Sequence, residues 1–247
     1  AYDVNPATHE LTVRWQWNCN SAGPWYGQGY HNYCVGDVDM DGRDEIVFGS
    51  MVIDDNGKGL STTGLGHGDA EHLGDFNPYV PGLEFFACNE DNPNNNYRNA
   101  TTSEIYYRSV GGRDDGRSMC GNFSNDYYGA LAYSSYDGGI SCVANKNVGA
   151  SGNGVATNFR IYWDGDLCEE TQDYSNGKNS AIGIYKYKKG RIDLLTGSMT
   201  NNDTKGTPCY QGDLFGDWRE EIIARTKDNK IRIYTTTIPT EWRNYTL

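Results

Sequence analysis

The ten residues from Gly36 to Glu45, Gly-Asp-Val-Asp-Met-Asp-Gly-Arg-Asp-Glu, constrain this chain more than any other stretch. Asp37, Asp39 and Asp41 alternate, Gly42 supplies the turn, and Glu45 closes the loop at the ninth position counted from Asp37. Alternation puts three carboxylates on one side of a short loop, glycine allows the positive φ that wraps backbone round an ion, and a late glutamate can bind with two oxygens. Hard oxygen ligands at this spacing suit Ca²⁺ rather than a thiolate-loving metal. The bland alternative is a solvated acidic turn before the strand Ile46–Phe48. Three alternating aspartates at close range would repel one another without a cation, which favours the ion.

The loop recurs in weakened form. Asp213, Asp217 and Glu221 take the first, fifth and ninth positions before another apolar run. Asp75, Asn77 and Glu84 give a version one residue longer, with Pro81-Gly82 as its turn. Gly121-Asn122-Phe123-Ser124 reads as a decayed copy, with Leu131 where the closing glutamate would stand. The copies begin at 37, 75, 122 and 213, so the steps are 38, 47 and 91. The last is nearly twice the one before. A repeat of roughly 40–47 residues has the length of a β-propeller blade.

Few long apolar runs, 31 glycines, 19 tyrosines and 6 tryptophans argue for short strands and turns. No segment sustains a helical period. Hairpins are expected at 133–143, 182–195 and 221–235, with strands at Leu11–Trp17 and Glu104–Val110. Asn89–Asn99 reads as a polar loop and Gly111–Arg117 as a tight loop with two arginines. The chain ends on what reads as another strand from Trp242. The expected fold is all-β, a single β-propeller domain or a large fragment of one over residues 1–247, with five or six blades' worth of chain.

The net charge of −12 disfavours nucleic acid, whose phosphates call for Lys and Arg. No stretch approaches the ~18 apolar residues of a membrane span. Seven cysteines without a Cys-x-x-Cys pair suit an oxidising compartment, with up to three disulfides and an odd thiol open to self-association. Sequons at Asn99, Asn122, Asn202 and Asn244 are compatible with secretion, and any signal segment is expected upstream or already removed. Trp25 and Tyr26 suit either sugar stacking or structural packing. His67 and His72 flank Asp69 in a glycine-rich stretch that lacks the Lys-Ser/Thr end of a phosphate loop. They could ligate a metal, bind an anion, or simply be hydrogen-bonded.

Gly27-Gln28-Gly29-x-His31, the Gly36–Glu45 loop, Gly64-Leu65-Gly66-His67-Gly68-Asp69-Ala70-x-His72, Pro81-Gly82-x-Glu84, Tyr162-Trp163-Asp164-Gly165-Asp166-Leu167, Gly216-Asp217-Trp218-Arg219-Glu220-Glu221 and Ile231–Glu241 follow one another as in rhamnogalacturonan lyases of polysaccharide lyase family 11. The resemblance spans essentially the whole chain. It implies an eight-bladed, calcium-loaded propeller, secreted, that cuts the rhamnose–galacturonate backbone of pectin by β-elimination. It also implies that Lys205 and Arg117 do the acid–base work, that Asn202 and Thr204 hold the sugar, and that an acidic polysaccharide is the partner.

Some residues depart from the family pattern. Asn89 stands where the family has His, Asp203 where it has Gly, and the Asn122 copy lacks acidic ligands. Two other readings are therefore kept. One is a propeller of the same descent that binds glycan without cleaving it or serves as a secreted structural module. The other is an integrin-like calcium propeller for protein adhesion.

Overall fold

The computed structural model describes residues 1–20, 23–203 and 205–244. The chain divides into two compact units, Ala1–Gly116 and Arg117–Leu247. Among the described residues every regular element is a strand, so no helix is long and apolar enough to cross a membrane.

The first unit opens with an exposed hairpin, β1 (Tyr2–Val4) and β2 (Leu11–Val13). The first four-stranded sheet follows: β3 (Cys34–Gly36), β4 (Glu45–Phe48), β5 (Met51–Ile53) and β6 (Gly59–Thr62). The second is β7 (Gly68–Gly74), β8 (Glu84–Asn89), β9 (Asn94–Asn99) and β10 (Ile105–Val110). In the second unit the third sheet is β11 (Ser118–Gly121), β12 (Leu131–Ser134), β13 (Gly138–Ser141) and β14 (Lys146–Asn147). The fourth is β15 (Phe159–Ile161), β16 (Glu170–Tyr174), β17 (Ile182–Lys186) and β18 (Gly190–Leu195). Each is an antiparallel meander in chain order. The fifth is built round β21 (Glu221–Thr226). It pairs with β20 (Tyr210–Gly212) and the short β19 (Ser198–Met199) at different points along its length, and with β22 (Ile231–Tyr234).

Period-2 alternation does not mark these strands, because the middle strands are buried on both faces. Val47, Val52, Phe85 and Ala87 form a core in the first unit. Ile161, Trp163, Ile182, Ile184 and Ile222 form one in the second, and Met119, Phe123, Leu131 and Tyr133 another.

Two expectations are corrected. The Leu11–Trp17 strand stops at Val13; beyond it, Trp17 meets Trp25 edge-on at 5.6 Å. Asn94–Asn99, expected as loop, is a central strand between β8 and β10. Its asparagines find partners that composition does not reveal. Asn96 Nδ2 donates to Asn89 Oδ1 at 2.9 Å, and Asn89 Nδ2 to Ser50 Oγ at 3.0 Å and Gly66 O at 2.9 Å. Arg98, 1% exposed, donates to Asn96 Oδ1 and Gly49 O and lies over the Phe85 ring at 4.2 Å. Its guanidinium pKa is pushed down to about 10 by burial. These asparagines and the Arg98 terminal nitrogens satisfy one another, while Arg98 Nε has no hydrogen-bond partner among the described residues. The three expected hairpins form. Of the strand expected from Trp242, residues 242–244 are irregular and the rest lies outside the described residues.

Candidate functional site

Each acidic loop joins the first and second strands of one sheet. Gly36 pairs with Glu45, Gly74 with Glu84, Gly121 with Leu131, Ile161 with Glu170, and Gly212 with Glu221. In the first loop the oxygens of Asp37, Asp39 and Asp41 come within 4.8 Å of one another. Asp41 N–H donates to Asp37 Oδ1 at 3.0 Å, Gly42 N–H to Asp37 Oδ2 at 2.9 Å, and Arg43 N–H to Asp41 Oδ1 at 3.0 Å. Glu45 is fully buried, and its Oε2 accepts Val38 N–H at 2.9 Å. Its Oε1 has no hydrogen-bond partner among the described residues, and burial raises its pKa. A buried carboxylate oxygen left this way is a place where a cation is favourable. Glu45 also groups with Asp54 and Asp55, so the first sheet gathers carboxylates beyond the loop itself.

The fifth loop follows the same backbone course with a different sequence. Met40 (φ 63°) and Gly42 (φ 90°) correspond to Gly216 (φ 74°) and Trp218 (φ 77°). Glycine has moved two places, and a tryptophan takes the left-handed position. Asp213 accepts the Asp217 and Trp218 amides as Asp37 accepts those of Asp41 and Gly42. Glu221 Oε2 accepts Leu214 N–H at 2.9 Å, while its Oε1 accepts the Thr235 hydroxyl at 2.9 Å. In the second loop Glu84 Oε2 accepts the Phe76 and Asn77 amides at 2.8 and 2.9 Å, and Gly82 makes the turn at φ 102°. Asn122 in the third loop donates through Nδ2 to Leu167 O at 3.4 Å, so it serves as packing rather than as a carboxylate ligand.

The structure adds a loop that the sequence reading used only as a family motif. Asp164, Asp166 and Glu170 bring their oxygens within 4.8 Å of one another. Glu170 Oε2 accepts the Trp163 and Asp164 amides at 2.9 and 3.0 Å, and Asp166 Oδ1 accepts Cys168 N–H at 2.9 Å. The Lys186 ammonium sits among them, against Asp164, at 2.8 Å from Asp166 and 2.7 Å from Glu170.

The expected catalytic residues lie at the ends of their sheets opposite these loops. Arg117 precedes β11. Its guanidinium is 3.7 Å from Asp173 Oδ2 and 5.9 Å from the Tyr174 ring centre. Asp173 is buried, which raises its pKa although the neighbouring Tyr174 amide and Arg117 oppose the rise. Asn202 O accepts Lys205 N–H at 2.7 Å in the turn between β19 and β20. The next residue, Gly206 (φ 63°), rests against the Asp173 backbone, where a Cβ would come within 2.4 Å of Cα. Asp173 thus ties Arg117 to the Lys205 turn. A cavity of about 430 Å³ opens beside it, lined in part by Asn153, Tyr174, Tyr185 and Arg191. Asp203 pairs with Lys178 at 3.1 Å. Thr204 lies outside the described residues.

In the first unit, oxygens of Asp69, Glu90 and Asp114 come within 4.8 Å of one another. His31 Nε2 is 3.4 Å from Asp69, and His67 Nε2 is 3.6 Å from Glu90. His67 Nδ1 lies 2.6 Å from the Gly29 carbonyl, which can only accept. Nδ1 therefore carries a proton, and Nε2 faces the carboxylates. His72, opposite Phe86 in β7, is not in this group. Trp25 is a packing residue whose ring covers Gly59.

The model of rhamnogalacturonan lyase family 11, C-terminal domain, matches residues 1–247. The chain belongs to this family. It is 43% identical to the rhamnogalacturonan endolyase YesW of Bacillus subtilis (strain 168), over 96% of this chain and 38% of that protein. It is 40% identical to the rhamnogalacturonan exolyase YesX of the same organism, over 100% of this chain and 43% of that protein. The crystal structures of YesW and of exotype YesX superpose with TM-scores of 0.84 and 0.88, at 42% and 39% identity, covering 97% and 100% of this chain and 41% and 43% of theirs. A Bacillus licheniformis rhamnogalacturonan lyase gives 0.86 at 38% identity, over 100% of this chain and 42% of its own. The chain therefore spans about two fifths of the length of the curated relatives it matches.

Within this family 11 domain, the sequence did carry one signal for the fourth loop. Counting from Tyr162, Asp164 is third, Asp166 fifth and Glu170 ninth, and the long step of 91 divides into 40 and 51 at that residue. An aromatic residue at the first position hid it.

Proposed function

We propose that this chain is the part of a secreted rhamnogalacturonan lyase that carries its catalytic pair, and that the enzyme cleaves the rhamnogalacturonan I backbone of pectin by calcium-assisted β-elimination. Membership of family 11 and the tie of Arg117 to the Lys205 turn through Asp173 support this reading. In the reaction the proton on the ring carbon beside the uronate carboxylate passes to a base. The electron pair forms a carbon–carbon double bond, and the glycosidic oxygen leaves with a proton. Lys205 takes the first proton, and Arg117 completes the acid–base pair. Charge that builds on the uronate carboxylate needs a cation beside it. Arg117 and Arg191, beside the cavity next to Asp173, suit that need. Asn202 and Thr204 hold the sugar, with Tyr174 and Tyr185 offering ring faces.

The architecture we propose is a calcium-bearing β-propeller to which this chain contributes five blades, one from each four-stranded sheet, as one domain. Structural calcium is held by Asp37, Asp39, Asp41 and Glu45, by Asp75, Asn77 and Glu84, and by Asp213, Asp217 and Glu221. The exposed Cys209 is the thiol through which two copies could join.

β-Elimination leaves a conjugated double bond that absorbs ultraviolet light. The chain with rhamnogalacturonan I and Ca²⁺ is expected to give a rise in absorbance, which Lys205→Ala abolishes while polysaccharide binding remains. Binding without any rise in the unsubstituted chain would favour the non-catalytic glycan-binding reading, for which the eroded third loop speaks.

A further inference from the structure

The closing glutamate of each acidic loop faces one residue on the third strand of its sheet. The register Thr171↔Tyr185 puts Lys186 across from Glu170, and Ile46↔Ile53 puts Asp54 across from Glu45. By the same rule Asn99 faces Glu84 and Thr235 faces Glu221. In the fourth and fifth sheets this residue meets the glutamate's Oε1. Thr235 gives Glu221 a hydroxyl, Lys186 gives Glu170 an ammonium at 2.7 Å, and Asp54 joins Glu45 as a further carboxylate.

We propose that the Lys186 ammonium replaces a divalent cation in the Asp164–Glu170 loop, making the fourth sheet metal-independent, and that removing it opens a carboxylate-lined site for a calcium-sized ion.

The hydrogen-bond pattern is shared, although Met40 and Gly42 of the first loop are left-handed and Gly165 and Leu167 of the fourth are not. In the first and fourth loops the second residue's amide donates to the closing glutamate, the fifth's to the third's carboxylate, and the seventh's to the fifth's. Lys186 Nζ lies 2.7–2.8 Å from Glu170 and Asp166. These are the lengths of charge-assisted hydrogen bonds, and the ammonium also touches Asp164, so it contacts all three carboxylates of the loop.

The fourth loop has one acidic residue fewer than the first, because Tyr162 occupies its first position, and it holds the Lys186 ammonium among the remaining three. Tyr162 is used elsewhere, with its ring 5.4 Å from Trp218 and its amide on Glu220. Lys186 is 8% exposed at its side chain, so the ammonium is a built-in part of the loop rather than a mobile surface charge.

The test exchanges the two residues' roles. Bound calcium per chain is counted by titration calorimetry and metal analysis in the unsubstituted chain, Lys186→Met and Asp54→Lys. Lys186→Met is expected to bind one more ion than the unsubstituted chain, and Asp54→Lys one fewer. No added ion in Lys186→Met, or a Lys186→Met chain that stays unfolded in millimolar calcium, overturns the proposal. An unchanged count in Asp54→Lys overturns the cross-strand rule. That second arm alone rests on calcium in the first loop. If the unsubstituted chain binds no calcium there, that reading fails, and the Lys186→Met count still decides the proposal.

Discussion

The first and fourth acidic loops share three backbone-to-carboxylate hydrogen bonds, hang from the same kind of buried glutamate and end in the same strand register, yet the first turns through left-handed Met40 and Gly42, the fourth has no left-handed residue at those positions, and their charges are balanced differently. The first exposes alternating aspartates and leaves a buried Glu45 oxygen without a donor. The fourth draws a lysine from its neighbouring strand into the centre of the carboxylates. On the proposed reading, one hydrogen-bond pattern is completed in the first loop by an ion from solution and in the fourth by a side chain of the protein. The ion makes stability depend on calcium concentration, by RT ln(1 + [L]/Kd), or about 2.7 kcal/mol at a hundredfold excess over Kd. The side chain makes stability independent of calcium and puts it at risk from a single substitution.

The largest expected effect comes from neutralising one carboxylate in each loop without calcium. Asp164→Asn takes a partner from a mostly buried ammonium and is expected to destabilise by about 2–4 kcal/mol. Asp39→Asn removes a charge from a repelling set and is expected to cost nothing, or to stabilise slightly. Denaturant midpoints in EDTA check both, and equal losses would break the comparison. With calcium present, Asp39→Asn should instead lose most of the calcium-dependent stabilisation.

Next in size is a pH effect confined to the fourth loop. Burial, with Asp164 adding to it, pushes the Glu170 carboxyl up to about 7 against the pull of Lys186. The native state therefore holds this proton over a range in which the unfolded chain has released it. Stability from this group is full below about 4.5 and is lost as pH rises through about 7, by at most roughly 3 kcal/mol. Glu170→Gln should flatten that segment of the stability–pH curve. An unchanged curve would place the titration elsewhere.

The smallest effects test the two left-handed positions of the first loop, Met40 and Gly42, which have no left-handed counterparts in the fourth. Met40 is exposed and left-handed, so Met40→Gly should stabilise by up to about 1 kcal/mol. Gly42→Ala should destabilise by about 1–2 kcal/mol. Thermal unfolding of both variants in calcium measures the pair.

The loops were legible where their chemistry is local. Asp37, Asp39, Asp41 and Glu45 lie within nine residues, and the structure brings the oxygens of the three aspartates together. The all-β class was legible from hairpins and the absence of helical periods. What was hidden depends on contacts across strands. Lys186 is 16 residues from Glu170, and nothing near either residue announces the pair. Asn94–Asn99 reads as loop because its burial depends on Arg98, Asn89 and Ser50, the last 39 residues from Asn89. His67 was visible as a candidate, but its partners Glu90 and His31 come from other turns, and the guess of His72 followed sequence proximity instead. Lys205 and Arg117 carried no signal of their own. Only the family resemblance singled them out, and Asp173, which lies between them, was missed.

The most direct test of the contrast is hydrogen–deuterium exchange of the unsubstituted chain in calcium and in EDTA, read over the two loops in one experiment. The account predicts that amides of residues 38–43 lose protection when calcium is removed, while those of 163–168 exchange at the same rate in both. Equal deprotection of the two loops would contradict it, because the fourth would then depend on an ion that Lys186 is said to replace.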